Sequence, residues 1–399
     1  MAGLSDRAEP LGVAVVGWGW MGAVHARAWS RLGHHYPDLA GVVRLVSVAD
    51  PVADRRDDAV HRFGFAAAYD GWRDAVADPA VHLVSVTAPN AVHREIGCAV
   101  AAAGKHLWIE KPVGLGADDA RAVADAVAAA GVASAVGFNY RNAPAVERAR
   151  ELVRDGALGE VTHARVQLFS DYAAHPEGAL TWRFERSTGG AGVLGDLASH
   201  GVDLVRFLLG DVERLVADTA VFVPSRLRPL GAGDHFARGG GEPGAVENED
   251  FASALLRTRS GARVTLEASR VAVGEQNSYS FSVHGSRGSL AWDFRRMGEL
   301  QVAVNDGVAD YQDVATSTVL VGPGSGELDA FQPGAGIAMG YDDLKVIEAG
   351  RFLRAALGGE PTGATVHDAV QVAVVLDAMA ESARTGAWVT VDYSGAASR

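Results

Sequence analysis

The chain contains 399 residues, of which 48% are hydrophobic, and this length exceeds that of a typical single domain. We therefore expect two domains. A formal net charge of −13 argues against general binding to nucleic acids or anionic membranes, because both require a basic surface. One cysteine excludes an intrachain disulfide and a cysteine-based metal site. Without an apolar run of membrane-spanning length or an N-terminal signal core, the sequence predicts a cytoplasmic protein.

Residues 1–138 alternate short apolar segments with helical ones, beginning with a strand over 12–17 and a helix over 22–32. The remaining predicted strands cover 43–49, 81–87, 106–109 and 133–138, and the remaining predicted helices cover 52–63, 93–103 and 118–130. Short apolar strands separated by helices are typical of a parallel sheet that is covered on both faces. With right-handed crossovers, this pattern predicts an α/β fold with a doubly wound Rossmann domain over residues 1–138.

From residue 139 onward the pattern changes to alternating, strand-like segments. Strands are predicted over 161–169, 214–223, 250–257, 262–269, 278–284, 288–294 and 388–391, and helices over 143–152, 193–209, 342–357 and 366–385. This pattern indicates an antiparallel sheet, and thus an α+β domain over residues 139–399. The alternative for the two terminal helices is that they pack back on the first domain. The glycine-rich stretch 231–244 is predicted to be an exposed loop.

A G-x-G-x-x-G motif lies between the first predicted strand and the first predicted helix, and consists of Gly17, Trp18, Gly19, Trp20, Met21 and Gly22. The first glycine permits a tight turn, the second lets a pyrophosphate approach the backbone, and the third allows close packing of helix and strand. Taken alone, such a motif is also compatible with an ordinary turn. Its position between strand and helix predicts a dinucleotide-binding loop.

Asp50 follows the second predicted strand, at the position where a carboxylate accepts hydrogen bonds from the adenosine ribose hydroxyls. A carboxylate there also repels a 2′-phosphate. We therefore predict NAD as the cofactor in preference to NADP. Arg55 and Arg56 follow closely in sequence and keep NADP open as the alternative.

The segment from Thr87 through Pro89 to Asn90 follows the predicted strand over 81–87, where strand ends form the ligand crevice of doubly wound sheets. Asn90 and His93 are candidates for contacts with the nicotinamide ribose. The alternative for Asn90 is that it caps the helix that begins nearby. The segment is included among the predicted cofactor-binding residues.

Glu110, Lys111 and Pro112 follow the predicted strand over 106–109. Proline fixes its own φ angle and restricts Lys111 to extended geometry, which aims the ammonium group consistently. A surface Lys-Pro turn is the alternative. The position at the carboxyl end of a strand in the cofactor domain favours a functional lysine near the reactive end of the cofactor.

A glycine run over 189–195 opens the predicted helix that carries Asp196, His200 and Asp203. In an α-helix, Asp196 and His200 lie roughly 40° apart around the axis, with Asp203 on the same face. A carboxylate beside an imidazole orients the ring and favours its protonated form. The alternatives are a helix-capping Asp196 and a core histidine paired with Asp203. A metal site is not predicted, because the sequence places no third strong ligand nearby.

The ordered set of motifs resembles the Gfo/Idh/MocA family of glucose–fructose oxidoreductase and inositol dehydrogenase over nearly the whole chain. The likeness extends to the terminal segment 382–386, and segments 139–141, 180–184 and 340–345 carry a closer likeness to the levoglucosan dehydrogenase branch. Two residues depart from these patterns. Ala198 stands where the family commonly has glycine, and Ser170 stands where the branch tends to carry a substrate-facing glutamine. The second departure leaves the exact sugar open.

The resemblance implies an N-terminal Rossmann domain and a C-terminal domain with a large open, mainly antiparallel sheet that often mediates homodimers or homotetramers. It also implies hydride transfer at a secondary alcohol of a sugar, anhydrosugar or cyclitol. Carried over by motif position, Lys111 contacts the reacting oxygen, His200 is the general base, and Asp196 positions the substrate and His200. Glu110 is grouped with the cofactor-binding residues.

Four further residues are interpreted in the light of this resemblance. Trp20 is a candidate for lining the nicotinamide pocket, and Tyr140, Trp182 and Arg183 are candidates for contacting the sugar. Aromatic rings suit the C–H faces of a sugar, and a guanidinium group suits its hydroxyls. Core packing is the alternative for the two tryptophans.

Together these observations predict an NAD-dependent sugar or inositol dehydrogenase. One rival is a glycoside hydrolase that retains NAD and cleaves by transient oxidation and elimination. A second is a non-catalytic protein that senses sugar or NAD, against which the aligned lysine, aspartate and histidine argue. A third is a reductive enzyme of aminosugar or cyclitol biosynthesis, because the same residues serve both reaction directions.

Overall fold

The computed structural model describes residues 9–231, 237–305, 307 and 310–394, and the chain divides into two compact units. Unit 1 contains the described residues up to Asn139 together with Gly340–Val370. Unit 2 contains the described residues from Tyr140 to Met339 together with Gln371–Ser394. The predicted boundary after residue 138 assigns Gly340–Val370 to the second domain, whereas its packing places this segment in unit 1. The predicted helix over 342–357 thus lies in unit 1, whereas residues 371–385 of the predicted helix over 366–385 lie in unit 2.

The helices are α1 (Trp20–His35), α2 (Ala53–Phe63), α3 (Trp72–Ala77), α4 (His93–Ala102), α5 (Ala117–Ala130), α6 (Pro144–Arg154), α7 (Arg186–Gly189), α8 (Ser199–Leu209), α9 (Tyr341–Ala356) and α10 (Val366–Thr385). The strands are β1 (Leu11–Val16), β2 (Val43–Ala49), β3 (Ala67–Tyr69), β4 (Leu83–Val86), β5 (His106–Ile109), β6 (Ser134–Val136), β7 (Val161–Phe169), β8 (Val212–Ala220), β9 (Ser225–Pro229), β10 (Gly239–Ala245), β11 (Phe251–Thr258), β12 (Arg263–Ser269), β13 (Ser278–Gly285), β14 (Gly288–Asp293), β15 (Glu299–Val304), β16 (Ser317–Leu320) and β17 (Val389–Thr390).

Unit 1 is built on a six-stranded parallel sheet in the order β3-β2-β1-β4-β5-β6. This confirms the predicted Rossmann sheet. Every residue of β1 and β4 is buried, as expected for strands that are covered on both faces. The order reverses between β1 and β4, and doubly wound sheets bind their ligands beyond the strand ends at such a reversal.

Helix α9 packs against α1 within unit 1. Ion pairs join the first turn of α9 to the middle and C-terminal half of α1, from Arg27 to Asp342 at 2.5 Å and from Arg31 to Asp343 at 2.6 Å. The segment that follows α9 continues along the sheet, where the Val136 N–H donates to the carbonyl of Ala364 at 3.0 Å. Residues late in the chain therefore complete the cofactor-domain fold.

Unit 2 contains a nine-stranded sheet in the order β16-β15-β14-β13-β7-β12-β11-β8-β17. All of its neighbouring strands are antiparallel except β7 and β12, so the predicted, mainly antiparallel sheet is confirmed. Alternate residues such as Val166 and Leu266 are buried, and helix α8 packs on this face. Gly201 of α8 permits a close approach, because a Cβ there would lie 2.6 Å from Leu168 Cδ1.

The prediction of an exposed loop over residues 231–244 is wrong in part. Residues 232–236 lie outside the described residues, whereas Gly239–Ala245 forms β10 and pairs with β9. A ladder needs backbone N–H and C=O groups, so glycine-rich segments can pair without an alternating apolar pattern. Within the described residues, no helix combines the length and apolar character needed to span a membrane.

Candidate active site

The glycine motif lies between β1 and α1, and its three glycines have different surroundings. Gly17 has a φ angle of +92°, a conformation that favours glycine. A Cβ on Gly22 would lie 2.3 Å from the carbonyl oxygen of Gly17, whereas a Cβ on Gly19 would have no described atom within 4 Å. Gly17 and Gly22 are therefore needed for the turn itself, while Gly19 faces open space. This cradle fits a dinucleotide pyrophosphate at the N-terminus of α1.

Trp20 and Met21 begin α1 beside this cradle. The Trp20 side chain is 65% exposed, so the alternative that it packs in a core is wrong. Its ring lies 5.4 Å from that of Tyr341, the first residue of α9, measured between centroids. Met21 is half-buried. An aromatic surface thus borders the glycine turn within unit 1.

Asp50 follows β2, and its carboxylate is ordered by backbone groups. Oδ2 accepts a hydrogen bond from the Trp18 N–H at 2.7 Å, and Oδ1 accepts one from the Val52 N–H at 2.9 Å. Arg55 Nη1 lies 3.9 Å from Oδ2, while the Arg56 guanidinium donates to the Asp50 carbonyl at 2.6 Å. An ionised carboxylate accepts about four hydrogen bonds, so these contacts leave acceptor capacity for the ribose hydroxyls.

The segment after β4 is tied to the glycine motif and to the Lys111 region. The Thr87 hydroxyl donates to the carbonyl of Gly17 at 2.6 Å. His93 is buried, with Nε2 2.7 Å from the carbonyl of Ala88 and Nδ1 2.7 Å from that of Pro112. Burial lowers the pKa of His93, and hydrogen bonds to the two carbonyls oppose this change. Since both ring nitrogens contact backbone carbonyls, the geometry favours a positioning role for His93 over a contact with the ribose.

Pro89 precedes the short 3-10 turn Asn90–Val92, and α4 begins at His93. The residue at the N-cap position of α4 is Val92. The alternative that Asn90 caps this helix is therefore wrong. The location of Asn90 beyond the carboxyl end of β4 keeps it a candidate for cofactor binding.

Glu110 and Lys111 are adjacent in sequence, but their surroundings differ. The Glu110 carboxylate is buried, with Oε1 2.5 Å from Lys345 Nζ and 3.0 Å from His25 Nε2. Burial raises the pKa of Glu110, but Lys345 and His25 outweigh this effect and lower it below its usual range. Lys111 is half-buried, and its peptide bond to Pro112 is cis. The geometry therefore favours a structural role for Glu110 over direct contact with the cofactor.

In unit 2, Asp196 lies in a π-helical turn, Leu194–Ala198, that runs into α8. The Ser199 N–H donates to the carbonyl of Leu194, five residues earlier, so the backbone is wider here than the predicted α-helix. Such single π-turns are frequent at functional sites. The wider turn changes the angle between Asp196 and His200 from that of an ideal α-helix.

The Asp196 carboxylate accepts a hydrogen bond from a half-buried tyrosine that the sequence did not single out. The Tyr172 hydroxyl lies 2.6 Å from Asp196 Oδ2. Burial raises the pKa of Tyr172 well above its usual value, and the nearby Asp196 adds to the rise. Tyr172 is therefore a neutral hydrogen-bond donor. Its only sequence signal is its position just after β7.

His200 is 6% exposed and lies in an aromatic cluster within unit 2. Its ring is 4.6 Å from the Tyr140 ring at an interplanar angle of 63°, and Tyr279 lies 5.3 Å from Tyr140. Burial raises the pKa of Tyr279 above its usual value. The Tyr140 ring thus lies beside the His200 ring. No sequence motif marks Tyr279 as a candidate site residue.

Asp203 interacts with an arginine in the same unit. Arg141 Nε donates to Asp203 Oδ2 at 3.0 Å, and a second guanidinium nitrogen of Arg141 bonds to Oδ1. This buried, two-point ion pair fixes α8 to the segment that carries Tyr140. Asp203 therefore has a structural partner in Arg141.

Trp182 and Arg183 form the 3-10 turn Trp182–Phe184, with the Arg183 guanidinium 4.4 Å from the Trp182 ring centroid. Both side chains are half-buried. The Arg183 carbonyl accepts a hydrogen bond from Asn248 Nδ2 at 2.8 Å, and Asn248 Oδ1 in turn accepts one from Arg270 at 2.9 Å. A buried polar network thus fixes the turn that presents both candidate sugar contacts.

Two family profiles match the chain. Residues 11–138 match the oxidoreductase family with an NAD-binding Rossmann fold, and residues 146–291 match the GFO/IDH/MocA C-terminal domain. The chain belongs to the Gfo/Idh/MocA oxidoreductase family. It is an NAD-binding oxidoreductase, as the sequence predicted.

Individual relatives agree with this membership. The chain is 35% identical to a levoglucosan dehydrogenase of Pseudarthrobacter phenanthrenivorans over 387 residues, covering 96% of this chain and 98% of the relative. It is 28% identical to an inositol 2-dehydrogenase of Rhizobium meliloti over 294 residues, covering 73% of this chain and 78% of the relative.

Solved structures are similar over nearly the full length. A levoglucosan dehydrogenase in complex with NADH and L-sorbose superposes with a TM-score of 0.89 and 33% identity, covering 96% of this chain and 99% of that chain. An NAD-binding oxidoreductase from Klebsiella pneumoniae has a TM-score of 0.86 and 32% identity, with the same coverage. These relatives do not favour the hydrolase or sensor alternatives.

Proposed function

We propose that this protein is an NAD-dependent dehydrogenase that oxidises a secondary alcohol of a sugar, anhydrosugar or cyclitol. The observation that carries this proposal is the set formed in unit 2 by Tyr172, Asp196, His200 and Tyr140. A half-buried carboxylate with a fixed hydrogen-bond donor, four residues before an imidazole, suits removal of a hydroxyl proton. The named activities of the levoglucosan and inositol dehydrogenase relatives support the same substrate class.

In this mechanism His200 takes the proton of the substrate hydroxyl. Lys111 places an ammonium group beside the oxygen as negative charge develops there, where a preorganised cation stabilises the transition state most. Asp196 orients His200 and a neighbouring substrate hydroxyl. NAD supplies the hydride acceptor when it is bound.

For the cofactor, the residues in unit 1 have separate tasks in this proposal. Gly17, Gly19 and Gly22 receive the pyrophosphate, and Asp50 receives the adenosine ribose. The remaining predicted contacts are Trp20, Met21, Thr87, Pro89, Asn90 and Lys111. For the substrate, we propose Tyr140, Trp182 and Arg183 as sugar contacts.

The test is a screen of purified protein with levoglucosan, inositols and pyranosides, following NADH absorbance. We expect NADH formation with at least one polyol, and a loss of turnover of about a hundredfold or more in Lys111→Ala and His200→Ala. Matched controls are Lys105→Ala and His61→Ala, whose side chains lie outside the proposed site. Cleavage of a chromogenic glycoside without NADH formation from any polyol would instead favour the hydrolase.

The protein is further proposed to act in the cytoplasm as a homodimer or homotetramer. Support for an oligomer comes from the sheet face opposite α8, where Leu255 is 52% exposed and the neighbouring Trp388 is 39% exposed. Light scattering of the purified protein tests the assembly, and Leu255→Lys should shift it toward the monomer. Cell fractionation tests the location.

A further inference from the structure

Glu110, which precedes Lys111, belongs to a buried ionic cluster in unit 1 that we define as His25, Glu110, Lys345 and Glu348. Lys345 Nζ lies 2.5 Å from Glu110 Oε1 and 2.9 Å from Glu348 Oε1. His25 Nε2 lies 3.0 Å from the same Glu110 oxygen. The Lys345 side chain is fully buried, and its ammonium group is the cation between the two carboxylates.

Lysine is rare in this chain, which makes the lysine in this cluster unusual. Lysine and arginine together number 36, yet only Lys105, Lys111 and Lys345 are lysines. Arginine thus serves almost everywhere as the basic residue, although a guanidinium group is larger and planar. A compact ammonium group is retained at Lys345, between two buried carboxylates, and at Lys111, one residue from the cluster.

The chain is anchored on both sides of Lys111. Before it, the Glu110 N–H donates to the carbonyl of Val86 at 2.9 Å, and the Glu110 carboxylate bonds to Lys345. The carboxylate occupies the space above Gly137, where a Cβ would lie 2.4 Å from Glu110 Oε2. After it, the Pro112 carbonyl bonds to His93. The backbone is therefore held by hydrogen bonds at the residue before Lys111 and at the residue after it.

We propose that Lys345 is a positioning residue for Lys111 and acts through Glu110. Lys345 belongs to α9, so a helix 235 residues away in sequence sets the direction of the lysine that the proposed mechanism places at the reacting oxygen. Removing the ammonium group leaves Glu110 buried without its cation, and the carboxylate must then take up a proton or move. Either change alters the backbone that carries Lys111. This inference rests on the proposed function of Lys111.

The first test is Lys345→Met, compared with Arg31→Met. The control also removes a cation that joins α1 and α9, through the Arg31–Asp343 pair at 2.6 Å, but it does not touch Glu110. We expect Lys345→Met to lower kcat at least about tenfold with the polyol oxidised fastest in the screen, while the Kd for NADH changes less than about threefold. Arg31→Met should keep both values near those of the wild type.

A double-mutant cycle separates positioning from general damage. If Lys345 acts through Lys111, then Lys345→Met should cause little further loss in a Lys111→Ala background. Equal losses in the two backgrounds would overturn the inference and leave the role of Lys111 intact. If Lys111→Ala itself keeps full turnover, the proposed function of Lys111 fails, and the inference with it.

A spectroscopic measurement makes the test independent of turnover. Reductive methylation with carbon-13 formaldehyde labels at most three lysine side chains, which simplifies the NMR spectrum. We expect the Lys111 signal of the protein without cofactor to shift in Lys345→Met, with the Lys105 signal as an internal reference. An unchanged Lys111 signal would contradict the proposal. Should Lys345→Met fail to fold, the variant Glu110→Gln/Lys345→Met removes both charges and must still show the shift.

Discussion

The hydroxyl of Tyr172 donates a hydrogen bond to Asp196 Oδ2 across 2.6 Å, and both residues belong to unit 2. The carboxylate is thereby held in one orientation from outside its own helix. Hydrogen bonds to charged groups contribute more than neutral ones, about 1.5–3 kcal/mol. The orientation of Asp196 therefore depends on a residue that no helical spacing connects to it.

Replacing this tyrosine by phenylalanine should lower kcat/KM for the polyol by about tenfold, because Asp196 loses its fixed donor. Tyr172→Phe removes only the hydroxyl, so packing is largely preserved. Steady-state kinetics of the variant test this expectation. Tyr311→Phe, at a side chain that is 79% exposed, is the matched control and should behave as the wild type. Unchanged kinetics in Tyr172→Phe would remove this hydrogen bond from the mechanism.

Two glycines of the cofactor loop should respond differently to alanine. Gly22→Ala places a methyl group 2.3 Å from the Gly17 carbonyl, so we expect a loss of unfolding free energy of about 1–3 kcal/mol. Gly19→Ala meets no described atom within 4 Å and should leave stability nearly unchanged. Its methyl group instead obstructs the pyrophosphate, so the Kd for NADH should rise about tenfold or more. Chemical denaturation and NADH titration of both variants measure the two effects, and equal stabilities would contradict the assignment of Gly22.

Asp50→Asn should weaken the preference for NAD. The amide keeps one oxygen acceptor but loses the negative charge that repels a 2′-phosphate. Arg55, which lies 3.9 Å from the carboxylate, then becomes available to the phosphate of NADP. We expect kcat/KM with NAD to fall about tenfold and the ratio of NAD to NADP activity to fall with it. Kinetics with both cofactors test this, with the exposed Asp54→Asn as the control; an unchanged ratio would exclude Asp50 from cofactor selection.

Stability should depend on pH through two members of the buried cluster, with opposite signs. Burial lowers the pKa of His25 from 6.5 to about 4, so the unfolded chain binds the extra proton between these values, and stability is lost as the pH falls from 6.5 to 4. Burial raises the pKa of Glu348 from 4.5 to about 7, with Lys345 opposing and Glu110 adding to the rise. The folded chain then binds the extra proton, and stability is lost as the pH rises from 4.5 to 7.

Urea unfolding of His25→Gln and Glu348→Gln across pH 4 to 8 measures these two contributions. The wild-type stability minus that of His25→Gln should rise with pH, and the corresponding difference for Glu348→Gln should fall, each by an amount on the order of 3 kcal/mol. His61→Gln, at an exposed histidine, is the matched control variant. If the stability difference between wild type and variant does not change with pH for either His25→Gln or Glu348→Gln, then neither group changes its pKa on folding as expected.

Much of unit 1 was predictable because its signals are local. Continuous apolar runs predicted β2 and β5 with their observed bounds, and the glycine motif was predicted between β1 and α1. The short elements β3 and α3 were missed, since three and six residues are too few for a clear period. In unit 2, β15 and β16 were missed as well; all four residues of β16 are exposed, so burial imposes no alternation on it.

The residues of the candidate site also fall into two groups, those with a local signal in the sequence and those without one. Gly17, Asp50, Lys111, Asp196 and His200 could be proposed from the sequence because a motif or a strand end marks each position. Tyr172 and Lys345 were not, because their partners lie 24 and 235 residues away and no local pattern joins them. The structure also favours different tasks for Glu110 and His93 from the predicted cofactor contacts, since backbone or buried partners engage both side chains.

The sequence by itself determined the fold class, the dinucleotide loop and the family, because periodicity, glycine spacing and strand-end residues are properties of neighbouring positions. Only the tertiary structure decided which polar groups from distant segments meet. The pairing of Lys345 with Glu110 and of Tyr172 with Asp196 follows from the packing of separate elements. A polar group that is removed from water needs a hydrogen-bond partner, and that partner can come from any segment that folds beside it. The number of residues between the two groups does not give the distance between them in the fold.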